Sequence, residues 1–155
     1  MGLPEDPAAF IAEAERAINE RDPAAAASVY AEHGLLESVT DGAQDLHHGA
    51  ADIRAAWDGY IAAMAARDFK LHKTLTAASG DTIVNEWEGT IGGRTDSRGV
   101  EYWRFDGNGR VYEHRMYSHL DVKPLDSPLG RLRMALAQPA AALALLREQR
   151  RRKPR

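Results

Sequence analysis

Glu101 and His114 are the two residues of this sequence best placed for proton-transfer chemistry. They lie on either side of Asp106-Gly107-Asn108-Gly109, and the flanking runs 100–105 and 111–121 are rich in Tyr, Trp, Phe and Val. β-Formers around a short Gly/Asn/Asp segment are the strongest local signal for a hairpin. A loop of two or four residues sets Phe105 opposite Arg110, Trp103 opposite Tyr112 and Glu101 opposite His114. Side chains alternate between faces, so Glu101, Trp103, Phe105, Tyr112, His114, Met116, Ser118 and Leu120 share the more apolar one. An acid and an imidazole facing each other in apolar surroundings are what a proton shuttle needs. Burial beside Trp103 favours a protonated Glu101, and a neutral His114 serves as acid or base near pH 7.

Other groups are weaker candidates. His119 and Asp121 share the opposite strand face, where a mixed set of Tyr, Arg and Glu suits an interface between subunits. His72 sits in Lys-Leu-His-Lys, whose charges point to a solvated edge, and Glu86 and Glu88 read as a solvated acidic face. His47-His48 lacks metal-ligand spacing, because adjacent residues rarely bind one ion and no HExxH pattern accompanies them. No metal and no other cofactor is expected.

The elements that must position these groups follow from periodicity and turn chemistry. Helices are predicted from Pro7 to Glu20, from Asp22-Pro23 to about Tyr30, and from Asp52 to Arg67. On the third, Trp57, Tyr60 and Met64 form an aromatic stripe, with Trp57 as the candidate wall of a ligand pocket. Leu35–Val39 reads as a short strand and Thr40–His48 as a polar loop. Phe69–Ala78, Thr82–Thr90 and the two arms of the hairpin read as four antiparallel strands in series, with 92–99 as a loop. Helices preceding an antiparallel meander give an α+β fold: one curved sheet against three helices, with room for a pocket at the join.

The 155 residues are 44% hydrophobic and 28% charged, which suits one globular domain with a core. There is no cysteine, so disulfides and thiolate chemistry are excluded. Glu5 and Asp6 stand where an export signal would be basic, and no long apolar run occurs, so a cytoplasmic protein without a membrane span is expected. Charge is unevenly distributed. Residues 1–122 hold 11 Lys/Arg against 21 Asp/Glu, a net −10, and residues 123–155 hold nine against two, a net +7. The boundary of the main domain is therefore set at residue 122, followed by a basic helical extension over 123–155 with a frayed end. Its predicted helices, 127–137 and 140–152, are separated by Gln138-Pro139 and carry a stripe of Leu129, Leu132, Leu136, Leu143 and Leu146. No aromatic residues interleave with its arginines, so no nucleic-acid partner is expected.

The order of these elements, with Asp22-Pro23 leading to Val-Tyr-Ala-Glu at 29–32, His-Gly-Ala-Ala-Asp-Ile at 48–53, Trp-Arg-Phe-Asp-Gly-Asn-Gly-Arg-Val at 103–111 and Tyr-Ser-His-Leu-Asp at 117–121, resembles the nuclear transport factor 2-like superfamily. The resemblance is to its SnoaL-like polyketide cyclases and ketosteroid isomerases, over about residues 7–122. It implies a cone-shaped scaffold around a small apolar organic ligand. Glu101 falls where ketosteroid isomerases hold a carboxylic acid that its apolar site keeps protonated. Ser38 and Ala14 fall where those enzymes place an aspartate base and an oxyanion tyrosine, so steroid isomerisation by that mechanism is not expected. Asp121 resembles the acid/base aspartate of the cyclases. The expected function is a cofactor-independent isomerase or cyclase acting on a polyketide-like substrate. Its catalytic groups would be Glu101, His114 and Asp121, and its ligand contacts Trp57, Trp103, Tyr112, Met116, Ser118 and Ser38. The alternative is a non-catalytic ligand-binding or homodimeric assembly module of the same fold.

Overall fold

The computed structural model describes residues 2–124 and 126–152, with backbone alone at 145, 146 and 148–152. The chain divides into two compact units, Met1–Asp121 and Val122–Arg155. The first is α+β: helices α1 (Pro7–Asn19), α2 (Pro23–Ser28) and α3 (Ala50–Ala66) pack on a six-stranded curved sheet. Its strands are β1 (Tyr30–Thr40), β2 (Ala43–His48), β3 (Phe69–Ser79), β4 (Thr82–Ile91), β5 (Thr95–Phe105) and β6 (Val111–His119), ordered β2-β1-β6-β5-β4-β3. The second unit consists of α4 (Pro128–Ala137) and α5 (Pro139–Arg152), with Leu129, Leu132, Leu136 and Leu143 exposed. The side chain of Leu146 and residues 153–155, the expected frayed end, lie outside the described residues. Among the described residues no helix is long and apolar enough to cross a membrane.

The helices start where their caps dictate. Asp6 accepts from the Ala8 and Ala9 amides with Pro7 as first helical residue, and Asp22 does the same for Ala25 ahead of Pro23. Each cap satisfies amide protons that the helix itself leaves unbonded.

Three strand assignments differ from expectation. β1 begins at Tyr30, not Leu35, because its first residues run beside Val111 of β6. Thr40–His48 is not a loop: Asp41 and Gly42 both adopt positive φ, 49° and 87°, and turn the chain into a hairpin with β2. Such a turn matches the right-handed twist of the strands it joins. β5 begins at Thr95 instead of Val100. The parallel β1–β6 contact closes the sheet order by joining the N-terminal hairpin to the meander.

The register of β5 and β6 also departs from the expected one. The loop holds five residues, because the Asp106 carboxylate accepts from the Asn108 and Arg110 amides and Phe105 pairs with Val111. A bulge then follows, so that Arg104 faces Glu113, Trp103 faces His114 and Glu101 faces Met116. Two one-residue slips return the strand to its original face but move every partner by two. Tyr112 is the bulged residue; its hydroxyl donates to Asp81 and its ring lies under Arg104, outside the core. His114 and Met116 remain inside.

Trp87 of β4 lies opposite Gly99 of β5, and a Cβ on Gly99 would stand 2.6 Å from the Trp87 indole and 2.5 Å from the Tyr117 carbonyl oxygen. The glycine thus makes room for an indole of the cavity wall. Gly99→Ala is expected to destabilise the fold by about 1–3 kcal/mol, the usual cost of overpacking. A urea melt read by tryptophan fluorescence measures it, and an unchanged midpoint would contradict this packing.

Candidate active site

A cavity of about 600 Å³ opens between α3 and the concave side of the sheet. Most of its wall is apolar, built from Ile18, Trp57, Met64, Phe69, Leu71 and Trp87. Into this wall β3 and β5 insert two charged groups, Lys73 and Glu101, whose side chains are 2% and 4% exposed and form an ion pair. Alternation along β3 puts Phe69, Leu71 and Lys73 on the buried side. Lys73 therefore points inward for the same reason that its apolar neighbours do.

β3 is an edge strand, so alternate backbone groups have no strand to bond. The α1 region supplies the missing partners. Arg21 donates to the Phe69 carbonyl, Asn19 donates to the Leu71 carbonyl at 2.8 Å and accepts from its amide at 3.1 Å, and Glu15 accepts from the Lys73 amide at 2.6 Å. The lysine is thereby fixed at backbone level before its side chain meets Glu101.

His114 is not opposite Glu101, as the four-residue loop required, but two positions further along. It is fully buried, stacked on Trp103 with ring centroids 3.4 Å apart and planes 16° from parallel. Neither ring lines the 600 Å³ cavity; Trp103 stands behind Lys73, whose ammonium is 5.5 Å from the indole centroid. Trp57 Nε1 donates to the Tyr30 oxygen at 3.2 Å, and the Tyr30 hydroxyl meets His114 Nδ1 at 2.6 Å. The Tyr30 oxygen thus stands between the Trp57 indole N–H and the His114 imidazole in one buried chain of polar contacts. Nε2 has no hydrogen-bond partner among the described residues. Burial, and then the charge of Lys73, push the His114 pKa well below its ordinary value.

The remaining expected residues divide. Ser38, Trp57, Met116 and Ser118 line the cavity with Glu101. Tyr112 does not, because the bulge turns it outward, and Asp121 lies past the end of β6 and outside the cavity wall. Lys73 was missed by reading Lys-Leu-His-Lys as a solvated edge; the alternation Phe69, Leu71, Lys73, Leu75 was the signal for it. Asp45 and Tyr60 at the cavity mouth were missed as a pair because β2 read as a loop. Among the described residues no cluster of three or more His, Asp or Glu is arranged to hold a metal ion.

Chemically, the cavity presents a cation that can donate a hydrogen bond to a developing oxyanion beside a carboxylate that can take a proton, both shielded from water. The family model of the SnoaL-like domain matches residues 11–114. The fold is also that of a steroid delta-isomerase from Pseudomonas aeruginosa, 21% identical, with 93% of this chain and 98% of that one covered and a TM-score of 0.56. It is shared by the epoxide hydrolase/cyclase-like enzyme SalBIII of pyran ring formation in the polyether salinomycin (18% identity, 72% and 89% covered, TM-score 0.56). An NTF2-like protein of unknown function from Mesorhizobium loti is 23% identical, with 76% and 98% covered and a TM-score of 0.56. A comparison with curated protein sequences finds no match.

Two outcomes test this geometry. Lys73→Met alone leaves a buried carboxylate without its counter-charge and is expected to cost about 3–5 kcal/mol, whereas Lys73→Met with Glu101→Leu recovers most of it. Denaturant melts of the wild type and these two variants check this; equal losses for single and double replacement would contradict a mutually compensated pair. His114, with its native pKa depressed, stays neutral as pH falls below about 6.5 while the unfolded chain takes up a proton. Stability should therefore drop by up to about 1.4 kcal/mol per pH unit below that point, and His114→Gln should flatten the slope by one proton. Unfolding free energies between pH 7 and pH 5 measure it.

Proposed function

Because the chain belongs to the SnoaL-like domain family, we propose that its cavity catalyses proton transfer on a small, largely apolar carbonyl compound, as an isomerase or cyclase without a cofactor. The observation that carries this reading is the buried Lys73–Glu101 pair in an otherwise apolar wall. The Glu101 carboxylate removes a proton from the carbon next to a substrate carbonyl. Lys73 donates to the oxygen as it becomes an enolate. Where the substrate carries a β,γ carbon–carbon double bond, the enolate extends over it, and return of that proton to the γ carbon gives the conjugated isomer. Attack of the enolate carbon on a second carbonyl of the same molecule, with Glu101 giving its proton to the new alkoxide, gives a ring. Trp57, Met116, Ser38 and Ser118 hold the ligand against the pair. In this scheme Glu101 is a base held by a cation, a different role from that of a neutral acid. His114 and Trp103 position the pair from behind, and Asp121 and Tyr112 take no part. That the structural neighbours include a steroid delta-isomerase and an epoxide hydrolase/cyclase-like enzyme supports this reading.

A second reading has a specific observation in its favour: Glu101 and Lys73 satisfy each other, as a purely structural pair also would. The cavity then binds a ligand without turning it over. The outer sheet face, where Tyr102 and Tyr117 are exposed and meet edge to face at 6.1 Å, suits a homodimer contact in either case.

Exchange of the acetyl protons of 2-acetylnaphthalene in deuterated buffer, followed by proton NMR, separates the readings. The protein should accelerate exchange, and Glu101→Gln should lower the enzymatic rate by about 10²–10⁴, the usual worth of a positioned base. Exchange no faster than in buffer, or unaffected by Glu101→Gln, would move the assignment to the binding module.

A further inference from the structure

Opposite Lys73, the far edge of the same sheet brings a second set of polar groups to the cavity. Asp45 on β2 and Tyr60 on α3 both line it, with Ser38, Thr40 and Gln44 beside them. The Tyr60 hydroxyl donates to Asp45 Oδ2 at 2.9 Å, and His47 Nε2 approaches the same oxygen at 3.0 Å. His47 Nδ1 is 3.4 Å from Asp52, which is itself fixed by the His48 amide at 2.9 Å. Ser38, 8% exposed, turns a hydroxyl into the cavity whose contact with Thr40 is 3.5 Å long. The apolar wall of Phe69, Leu71 and Trp87 stands across from this arc.

The arrangement fits recognition better than proton transfer. His47 and Tyr60 donate to Asp45 and hold its pKa below the ordinary value. Burial, followed by Asp45 itself, pushes the Tyr60 hydroxyl up to about 12, so the phenol keeps its proton. Burial opposes a charge on His47, but Asp45 and Asp52 together outweigh it and raise its pKa. Asp45 is then a carboxylate of fixed charge and fixed orientation. A carboxylate offers about four lone-pair sites, and the Tyr60, His47 and Leu46 backbone donors take no more than three. The remaining capacity belongs to a carboxylate that is half exposed at the mouth, 57% by side chain.

We propose that Asp45, oriented by Tyr60 and His47, is the specificity group of the cavity, binding a hydrogen-bond donor that the ligand carries at the end remote from the carbonyl held by Lys73. The donor is a hydroxyl or an ammonium group. The ligand is thus a flat apolar body with a carbonyl at one end and a donor at the other, spanning the cavity between opposite edge strands. This rests on the reading that Lys73 binds the carbonyl.

The test compares 2-acetylnaphthalene with 6-hydroxy-2-acetylnaphthalene and 6-(aminomethyl)-2-acetylnaphthalene by isothermal titration calorimetry. At least one donor-bearing ketone should bind about tenfold or more tightly than the parent, as one charge-assisted hydrogen bond provides. Asp45→Asn and Asp45→Ala should reduce that advantage to less than twofold for the ammonium. For the hydroxyl, Asn should retain part of it and Ala none. Tyr60→Phe, which leaves the carboxylate in place but frees its orientation, should reduce the advantage part-way. An advantage under fivefold for both ketones, one that survives Asp45→Ala, or absence of binding by all three would overturn the proposal. The proton-exchange measurement keeps the two readings apart. Donor preference without exchange leaves the recognition standing and removes the catalysis, and exchange without donor preference does the reverse.

Discussion

The buried ion pair between Lys73 and Glu101 is the constraint on which this structure depends. Two charges removed from water are tolerated only when each compensates the other in good geometry, and that requirement reaches well beyond the two side chains. β3 and β5 must keep their registers on either side of β4, so that Asn85 stands between Glu101 and the strand that carries the lysine. Asn85 is itself buried and spends its carbonyl on the Trp103 indole at 2.7 Å. The indole in turn stacks on His114, and His114 meets Tyr30. A layer of buried polar groups thus runs from the cavity wall to α3 through Trp57, each held by the next. Such networks specify one packing, because a partial mismatch leaves a buried group unsatisfied.

The cavity divides its labour along the sheet. Apart from Lys73, the β3–β4 side is apolar and contributes shape, whereas β1, β2 and the end of β6 contribute Ser38, Thr40, Gln44, Asp45 and Ser118. The division follows from topology. β1 and β2 form a hairpin added by parallel pairing to one side of the meander, so their polar faces arrive from a separate part of the chain. α3 follows that hairpin and closes the space between its two ends, which is why Trp57 contacts the buried layer while Tyr60, on the same helix, reaches Asp45.

Much of this was legible in the sequence, and the misses have physical causes. Local signals located all three helices of the first unit, through Asp-Pro starts and the Trp57, Tyr60, Met64 stripe, and the antiparallel meander followed from short connections. Glu101, Met116 and Ser118 were assigned to one face correctly. Their partners were not, because the Asp106 side chain draws a fifth residue into the loop and the Tyr112 bulge undoes the resulting flip. Neither slip has a periodic signature. β2, with the sequence Ala-Gln-Asp-Leu-His-His, lacks β-branched residues and is held as a strand by its turn and its pairing. Lys73 was hidden by its own charge, since nothing local announces that a residue 28 positions away will neutralise it.

The backbone bonds that α1 makes to β3 have a further meaning for the chain in solution. Phe69, Leu71 and Lys73 offer their outward carbonyls and amides to Arg21, Asn19 and Glu15, so the sheet ends there in side chains in place of another strand. An uncovered run of such groups is a template for edge-to-edge association. The segment that seats the lysine therefore also caps a growing end, and loosening of α1 would expose a sticky strand at the moment it released the site.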